Sequence, residues 1–152
     1  TGWTVQEAKP DKQYYYGADG KMQYGWLTLE NKTYYFHPSS GVMMKECERK
    51  IDGKYYYFNA DGTMATGWTK QAARPDKIYY YNSDGTMSYG EKKIDGHWYY
   101  FHERSGVMQT GWVNHHNHTY YYNPMVPCIM VKRRKMVTGI ISKIEQVSWQ
   151  PD

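Results

Sequence analysis

Tryptophan and tyrosine are the side chains of this sequence best suited to a binding role, because they recur at regular intervals. The 152 residues contain 18 Tyr and six Trp but only three Phe. A tryptophan directly follows a glycine at four places: Trp3, Trp26, Trp68 and Trp112. Both residue types combine an apolar ring with a polar tip, which suits shallow stacking surfaces better than a dry core. The composition therefore favours exposed aromatic binding surfaces.

Residues that commonly carry out catalysis are present, but their positions do not suit a reaction. Four aspartates lie beside turn glycines, where Asp serves the turn itself: Asp19, Asp61, Asp84 and Asp95. No nucleophile lies near a base, so we predict that the chain is not an enzyme. The histidines His115, His116 and His118 lack a nearby carboxylate or cysteine, which favours a solvated connection over a zinc site. We therefore expect no metal and no cofactor.

The aromatic residues belong to an internal repeat of 20 to 23 residues. Aromatic triplets end at Tyr16, Phe36, Phe58, Tyr81, Phe101 and Tyr122. A Gly-x-Met step follows each of the first five triplets, and a Gly-Trp pair closes four of the units. Two closures differ: Gly90 is followed by Glu91, and Glu46-Cys47 stands where the second unit is expected to close. We interpret Cys47 as a replacement of the closing tryptophan.

The stretch from Ile94 to Trp112 is the template for predicting the fold. We predict that it forms a hairpin with an aromatic strand at 98–101, a turn at 105–106 and a return strand at 107–112. Side chains alternate along a strand, so Trp98 and Tyr100 share one face. Because a lone hairpin is marginally stable in water, neighbouring units must pack together. The sequence predicts an all-β fold, an elongated β-hairpin solenoid of ~20-residue repeats, in which about six units span residues 1–123.

The last segment, residues 124–152, does not follow the repeat. Joining the last base of each codon to the first two bases of the next permits Asp-Gly-His-Trp-Tyr-Tyr-Phe across 136–142, which matches 95–101. We therefore hypothesise that this segment is a further repeat read in the wrong frame, and that it is poorly ordered. The coding DNA tests this, since the shifted frame must spell those residues. The chain begins at a unit closure, so we expect it to be part of a longer protein.

The charge and the cysteines exclude several classes of function. The formal net charge is +4. Five Lys or Arg and two acids lie from Pro124 onward, so no basic face follows the aromatic residues and nucleic-acid binding is not expected. No apolar run approaches the ~20 residues of a spanning helix, so we expect no membrane insertion. Cys47 and Cys128 suggest neither a disulfide framework nor a metal site.

With these motifs in view, the sequence resembles the choline-binding, or cell-wall-binding, repeats of Gram-positive surface proteins and phage lysins. Related repeats occur in glucan-binding proteins and clostridial toxin tails. The resemblance rests on Gly-Trp, Trp-Tyr-Tyr-Phe, a glycine turn and a closing Gly-Trp, and it covers roughly residues 1–123. It is closest at Ile51 to Trp68 and at Ile94 to Trp112.

In this family, aromatic side chains between hairpins surround the quaternary ammonium of choline through cation–π attraction. The resemblance assigns ligand-binding roles to these residues: Trp3, Tyr15, Trp26, Tyr35, Trp68, Tyr80, Trp98, Tyr100, Trp112 and Tyr121. The family's strand tryptophan is replaced after the closing tryptophans by Gln13, Thr33, Ile78 and Thr119. We expect open Trp–Tyr shelves there, which suit a sugar ring. Packing between hairpins is the alternative role of the closing tryptophans.

The resemblance implies a non-catalytic module that anchors a secreted or cell-surface protein, such as a wall hydrolase or an adhesin. Its partner would be a cell-wall polymer, either choline-decorated teichoic acid or a polysaccharide. Two alternatives stay open: binding of glucan or host carbohydrate, and a purely structural spacer. We expect a location outside the cell or in the cell wall.

Overall fold

The computed structural model describes residues 1–7, 9–116 and 118–122, and this part of the chain is built from short β-strands. The strands are β1 Gly2–Gln6, β2 Lys9–Tyr16, β3 Gly25–Leu29, β4 Lys32–Phe36, β5 Cys47–Ile51, β6 Lys54–Phe58, β7 Gly67–Gln71, β8 Arg74–Tyr81, β9 Gly90–Ile94, β10 His97–Phe101, β11 Met108–Gln109, β12 Gly111–His115 and β13 His118–Tyr122. The described residues contain no helix, and hence none that could cross a membrane. The predicted all-β fold of repeated hairpins is confirmed. The hypothesised frame-shifted segment lies outside the described residues.

Six antiparallel hairpins form from successive strand pairs, β1–β2, β3–β4, β5–β6, β7–β8, β9–β10 and β12–β13. We number them first to sixth. Each pairs a strand that begins at the unit closure with the aromatic strand that follows, as in Trp26 opposite Tyr35. The prediction that the aromatic strand of Ile94–Trp112 forms its hairpin with the strand after it was therefore wrong. Its aromatic strand β10 pairs mainly with the preceding β9, and only Met108–Gln109 returns along its other edge.

The backbone of the hairpin tips explains why the aromatic strand pairs with the strand before it. Asp95 and Gly96 have φ values of 48° and 82°, and Asp52 and Gly53 have 48° and 80°. Two consecutive positive φ values are what a type I′ turn requires, and this turn matches the twist of two antiparallel strands. The turn at 105–106 has a positive φ only at Gly106. It connects hairpins, whereas Asp95-Gly96 closes one.

Consecutive hairpins are joined by a repeated backbone hydrogen bond. The Met64 N–H donates to the Thr33 carbonyl at 2.7 Å, and the Met87 N–H donates to the Tyr55 carbonyl at 2.9 Å. In each case the connection after one hairpin bonds the aromatic strand of the hairpin before it. The methionines also pack against turn glycines. A Cβ at Gly62 would lie 2.5 Å from the Met43 Sδ. The Gly-x-Met step thus serves to stack the units.

The core lies where the last aromatic residue of a hairpin is enclosed. Phe58 is fully buried and packs with Ile51 and Met44. Phe36, Tyr81 and Phe101 are also fully buried. The chain forms two compact units, Thr1–Met87 with four hairpins and a second that begins at Ser88 and has two hairpins in its described part.

The register corrects the interpretation of the third hairpin's closure. Cys47 lies opposite Phe58, the place that glycine holds in the other hairpins, and Glu48 lies opposite Tyr57. Glu48, not Cys47, therefore replaces the closing tryptophan. The positive φ of the closing glycine shifts back by one residue, to Glu46 at 47°. Burial raises the pKa of the Cys47 thiol, which keeps it in the less reactive thiol form.

The turn aspartates predict an acid-dependent stability. Asp61 Oδ1 accepts hydrogen bonds from the Thr63 N–H at 3.0 Å and hydroxyl at 2.6 Å, and Asp84 is bonded by Thr86 in the same way. These bonds lower the pKa of both carboxyl groups.

Because the folded state binds fewer protons than the unfolded state, this stabilisation is present above about pH 4, the pKa of an unperturbed Asp. It is lost as the pH falls through the lower pKa of the folded state. We expect the urea midpoint of D61N/D84N to fall less than that of the wild type between pH 5 and pH 2. The control is D11N, in an exposed part of β2. An unchanged pH slope in the double variant contradicts the prediction.

Candidate functional site

The closing tryptophan of the first hairpin lies within a cluster of aromatic rings. Trp3 contacts Tyr15, its cross-strand partner, edge to face with a centroid distance of 5.2 Å. Its ring also contacts Tyr34 of the second hairpin at 4.9 Å, while Phe36 lies 6.0 Å away. The place where one hairpin packs on the next is called a junction below. The cluster thus lies at the first junction.

The second junction repeats this geometry. Trp26 contacts Tyr35 of its own hairpin at 4.8 Å and Tyr56 of the third hairpin at 4.9 Å, both edge to face. Phe58 lies 6.0 Å from Trp26 and is fully buried, so it forms the floor of the cluster. The Trp26 side chain is exposed enough to meet a ligand, with 39% of the residue surface accessible.

The third ring of each cluster differs from the sequence-based expectation. In the family pattern a strand tryptophan supplies it, and because Thr33 occupies that position in the second hairpin, an open two-ring shelf was expected. Instead, the first residue of the next aromatic triplet, Tyr34 or Tyr56, contacts the closing tryptophan. Tyr34 and Tyr56 were not among the residues predicted to bind the ligand. Each cluster therefore has three partly exposed rings around a corner rather than an open two-ring shelf.

Two carboxylates also act on the Tyr56 hydroxyl of the second cluster. The pKa of the Tyr56 hydroxyl is raised, first by burial and then by the charges of Asp84 and Asp52. Carboxylates that disfavour a phenolate also attract a cation to the same place. Edge-to-face rings present the negative faces that favour a cation as well. The arrangement suits a bulky, weakly hydrated cation.

The other predicted pairs are also brought together by their register. Trp68 contacts Tyr80 at 5.1 Å, and Trp112 contacts Tyr121 at 5.0 Å. Trp112 is 60% exposed, more than any other large hydrophobic residue described. Trp98, opposite Lys93, is 39% exposed.

The burial of Tyr100 and of His115 differs from what the sequence predicted. Tyr100 is buried, and its ring stacks on His115 at 4.6 Å. His115 is itself buried, so the prediction of a solvated connection was wrong for this residue, although His116 and His118 are exposed. Burial follows because β12 places His115 on its inner face, where Tyr120 covers the other side of the ring at 4.2 Å. Within the part of the chain that the structure describes, no group of residues is arranged to hold a metal ion.

A polar cavity of about 410 Å³ lies beside the second hairpin. Its lining includes Lys32, Thr33, Asp61, Thr63, Thr66 and Ser83. Thr33 is two residues from Tyr35 on β4 and therefore on the same face of the strand. Hydroxyl and charged groups of this kind bind the hydroxyls of sugars.

A family model described as a choline-binding repeat matches residues 1–46, 48–88, 74–110 and 88–125. The chain belongs to the choline-binding repeat family. Family membership supports a non-catalytic binding module. No curated protein matches the sequence.

Solved structures of choline-binding proteins are similar in sequence and fold. Choline binding protein F from Streptococcus pneumoniae, determined in the presence of a peptidoglycan analogue, is 36% identical, with a TM-score of 0.73 over 82% of this chain. A structure of CbpF in complex with ipratropium is 34% identical, with a TM-score of 0.72 over 82% of this chain. The cell wall endolysin of phage Cp-1, complexed with choline, shares the fold at 22% identity, a TM-score of 0.57 and 92% coverage. The chain spans 39%, 41% and 39% of these three structures.

Proposed function

We propose that the tryptophan clusters of this chain bind the choline groups of a cell-wall polymer. The supporting observation is the three-ring corner of Trp26, Tyr35 and Tyr56 over the Phe58 floor. A trimethylammonium group has no hydrogen-bond donor and a delocalised charge, so aromatic faces and nearby carboxylates suit it better than a salt bridge. The similarity to CbpF, whose structure was determined with the quaternary ammonium compound ipratropium, supports this chemistry.

Binding at several clusters would anchor the chain to a repetitive polymer. Each cation–π site is weak, worth about 2 kcal/mol or more when the cation is desolvated. Several such sites on one chain raise the avidity by ~10²–10⁴-fold over a single site when the ligand is also repetitive. We propose that the module holds a secreted or surface protein, such as a wall hydrolase or an adhesin, on choline-decorated teichoic acid in the cell wall.

A glycan ligand is the second candidate, favoured by the polar cavity beside Thr33 and by the exposure of Trp112. A sugar ring would stack on the tryptophan and donate hydrogen bonds to the tyrosine hydroxyls. The similarity to choline binding protein F in the presence of a tetrasaccharide-pentapeptide is consistent with this candidate.

Titration of intrinsic tryptophan fluorescence distinguishes the candidates. Saturable quenching by choline alone supports the proposed function, and quenching by oligosaccharides alone supports the glycan alternative. Quenching by neither contradicts both and leaves a structural spacer.

Two variants test the exposed tryptophans directly. We expect W68A and W112A each to weaken binding of the polymer, because each removes the ring that pairs with Tyr80 or Tyr121. Both tryptophans are exposed, so near-wild-type urea midpoints are expected as the control. Unchanged affinity for choline-containing cell walls would exclude these two pairs from the binding surface.

A further inference from the structure

Two hairpins carry a glutamate where the first and second hairpins carry tryptophan. Glu48 lies opposite Tyr57, and Glu91 lies opposite Tyr100. These are the register positions of the closing tryptophans. Because the chain belongs to a family that binds a cation, the carboxylates raise the question of whether the third and fifth junctions are sites as well.

At the third junction the carboxylate is bonded by the chain's own groups. The Gln71 Nε2 donates to the Glu48 Oε2 at 2.6 Å and to the Tyr81 hydroxyl at 2.8 Å. Gln71 is 3% exposed and Tyr81 is fully buried. The three polar side chains therefore form one network, in which Gln71 and Tyr81 are buried and Glu48 is partly exposed.

The tip of the fourth hairpin completes this closure. The Ala72 N–H donates to the Tyr57 hydroxyl at 2.9 Å, and the Arg74 Nη1 donates to the Tyr79 hydroxyl at 3.3 Å. The Arg74 guanidinium is also attracted by the Glu48 carboxylate. Tyr57 and Tyr79 are buried, whereas the corresponding tyrosines of the first and second junctions are partly exposed. A cation of the chain itself thus lies near the rings that would meet a ligand.

At the fifth junction a histidine takes the place of Gln71. The Tyr122 hydroxyl donates to the Glu91 Oε1 at 3.0 Å, and the His115 Nε2 lies 3.0 Å from the same hydroxyl. The hydroxyl has a single proton, and it uses that proton in the hydrogen bond to Glu91. The His115 Nε2 must therefore be the donor in the second bond. The imidazole stacks between Tyr100 and Tyr120, at 4.6 Å and 4.2 Å. The space between these two tyrosine rings is filled.

Three positions at each junction change together. The first is the tryptophan or glutamate of the earlier hairpin, and the other two belong to the hairpin after it. The second member is always the last residue of a hairpin's first strand, and the third is the last residue of its aromatic strand. The tryptophan sets are Trp3–Leu29–Phe36 and Trp26–Ile51–Phe58, and the glutamate sets are Glu48–Gln71–Tyr81 and Glu91–His115–Tyr122. A glutamate over an aliphatic residue and Phe would lack hydrogen-bond partners, and a buried Tyr hydroxyl beneath a tryptophan would also lack one. The need to pair buried polar groups therefore explains why glutamate occurs with a polar residue and Tyr, and tryptophan with an aliphatic residue and Phe.

We propose that each glutamate set acts as one unit that closes its junction, so that the choice between the two sets determines which junctions bind the cationic ligand. The glutamate junctions are closed by the chain's own side chains, and the tryptophan junctions stay open. This inference rests on the proposed choline binding. It predicts that exchanging a complete set converts a closed junction into a binding one.

The test is calorimetric titration of choline into the full chain. We expect E48W/Q71I/Y81F, which installs the set of the second junction, to bind one more choline per chain than the wild type. E91W/H115I/Y122F is an independent test in the other unit, with the same expected gain. The control is E48W alone, which leaves Gln71 and Tyr81 without Glu48. It is expected to gain no site and to unfold at a lower urea concentration.

The outcomes separate this inference from the proposed function. If the wild type binds choline and the folded triple variants gain no site, the inference is overturned and the proposed function stands. If neither the wild type nor the variants bind choline, the proposed function fails, and the conversion of a junction fails with it.

If the triple variants do not fold, a double-mutant cycle of E48A and Y81F decides whether the residues act as a unit. We expect the double variant to lose less stability than the two single variants together, because both remove the same network. Additive losses overturn the inference.

Discussion

Replacing Trp26 with alanine is expected to abolish choline binding at the second junction. The substitution removes the ring that joins Tyr35 to Tyr56 and opens the corner to water. Loss of a desolvated cation–π contact of about 2 kcal/mol corresponds to a roughly 30-fold weaker site. In a calorimetric titration, W26A should therefore bind one choline fewer per chain over the concentration range that saturates the wild type.

Tyr24 provides a matched control for this variant. It is an aromatic residue two positions from Trp26, and it is 47% exposed against 39% for Trp26. We expect Y24A to keep the wild-type stoichiometry and affinity. Equal stoichiometry and affinity for W26A and the wild type would show that the second cluster is not a choline site.

Replacing Phe58 with alanine is expected to have the largest effect on stability. Phe58 is fully buried, packs on Ile51 and Met44, and forms the floor beneath Trp26. Deletion of a buried Phe ring costs about 3–5 kcal/mol, through lost transfer free energy and the cavity left behind. This is a large part of the ~5–15 kcal/mol by which domains are commonly stable. Urea unfolding measures the loss.

The control for F58A is K45A, at an exposed position of the connection before the third hairpin. A surface substitution of this kind is expected to change the free energy of unfolding by about 0.5 kcal/mol or less. In F58A the loss should fall in the unit Thr1–Met87, because hairpin repeats contact mainly their neighbours. A loss below about 1 kcal/mol would contradict the assignment of Phe58 to the core.

The repeated hairpins could be predicted from the sequence because they depend on local order, namely alternation along a strand and recurring glycine turns. The tryptophan–tyrosine pairs, such as Trp26 with Tyr35, were implied by the family resemblance and not by the alternation itself. The edge of the aromatic strand at which the hairpin forms could not be predicted in this way. It depends on whether Asp95-Gly96 or Ser105-Gly106 forms the tight turn, and both are glycine turns in the sequence.

The third ring of each cluster could not be predicted in the same way. Tyr34 and Tyr56 contact a tryptophan of the preceding hairpin, and the angle between two hairpins is not encoded in the alternation of either one. The burial of His115 has the same origin, since Tyr100 and Tyr120 come from two different hairpins. One signal was present in the sequence: the last aromatic residue of a hairpin is Phe when the preceding hairpin carries a closing tryptophan and Tyr when the preceding hairpin carries a glutamate there. Phe58 follows the hairpin of Trp26, and Tyr81 follows the hairpin of Glu48.

The proposed function requires that choline bind within the corner formed by Trp26, Tyr35 and Tyr56. The most direct test is to measure intermolecular nuclear Overhauser effects between the N-methyl protons of choline and the ring protons of the full chain. We expect effects to all three of these rings and to none of the buried rings Tyr57, Tyr79 and Tyr120. Saturating choline that shows no effect to Trp26, or shows effects only to residues of the polar cavity beside Thr33, would contradict it.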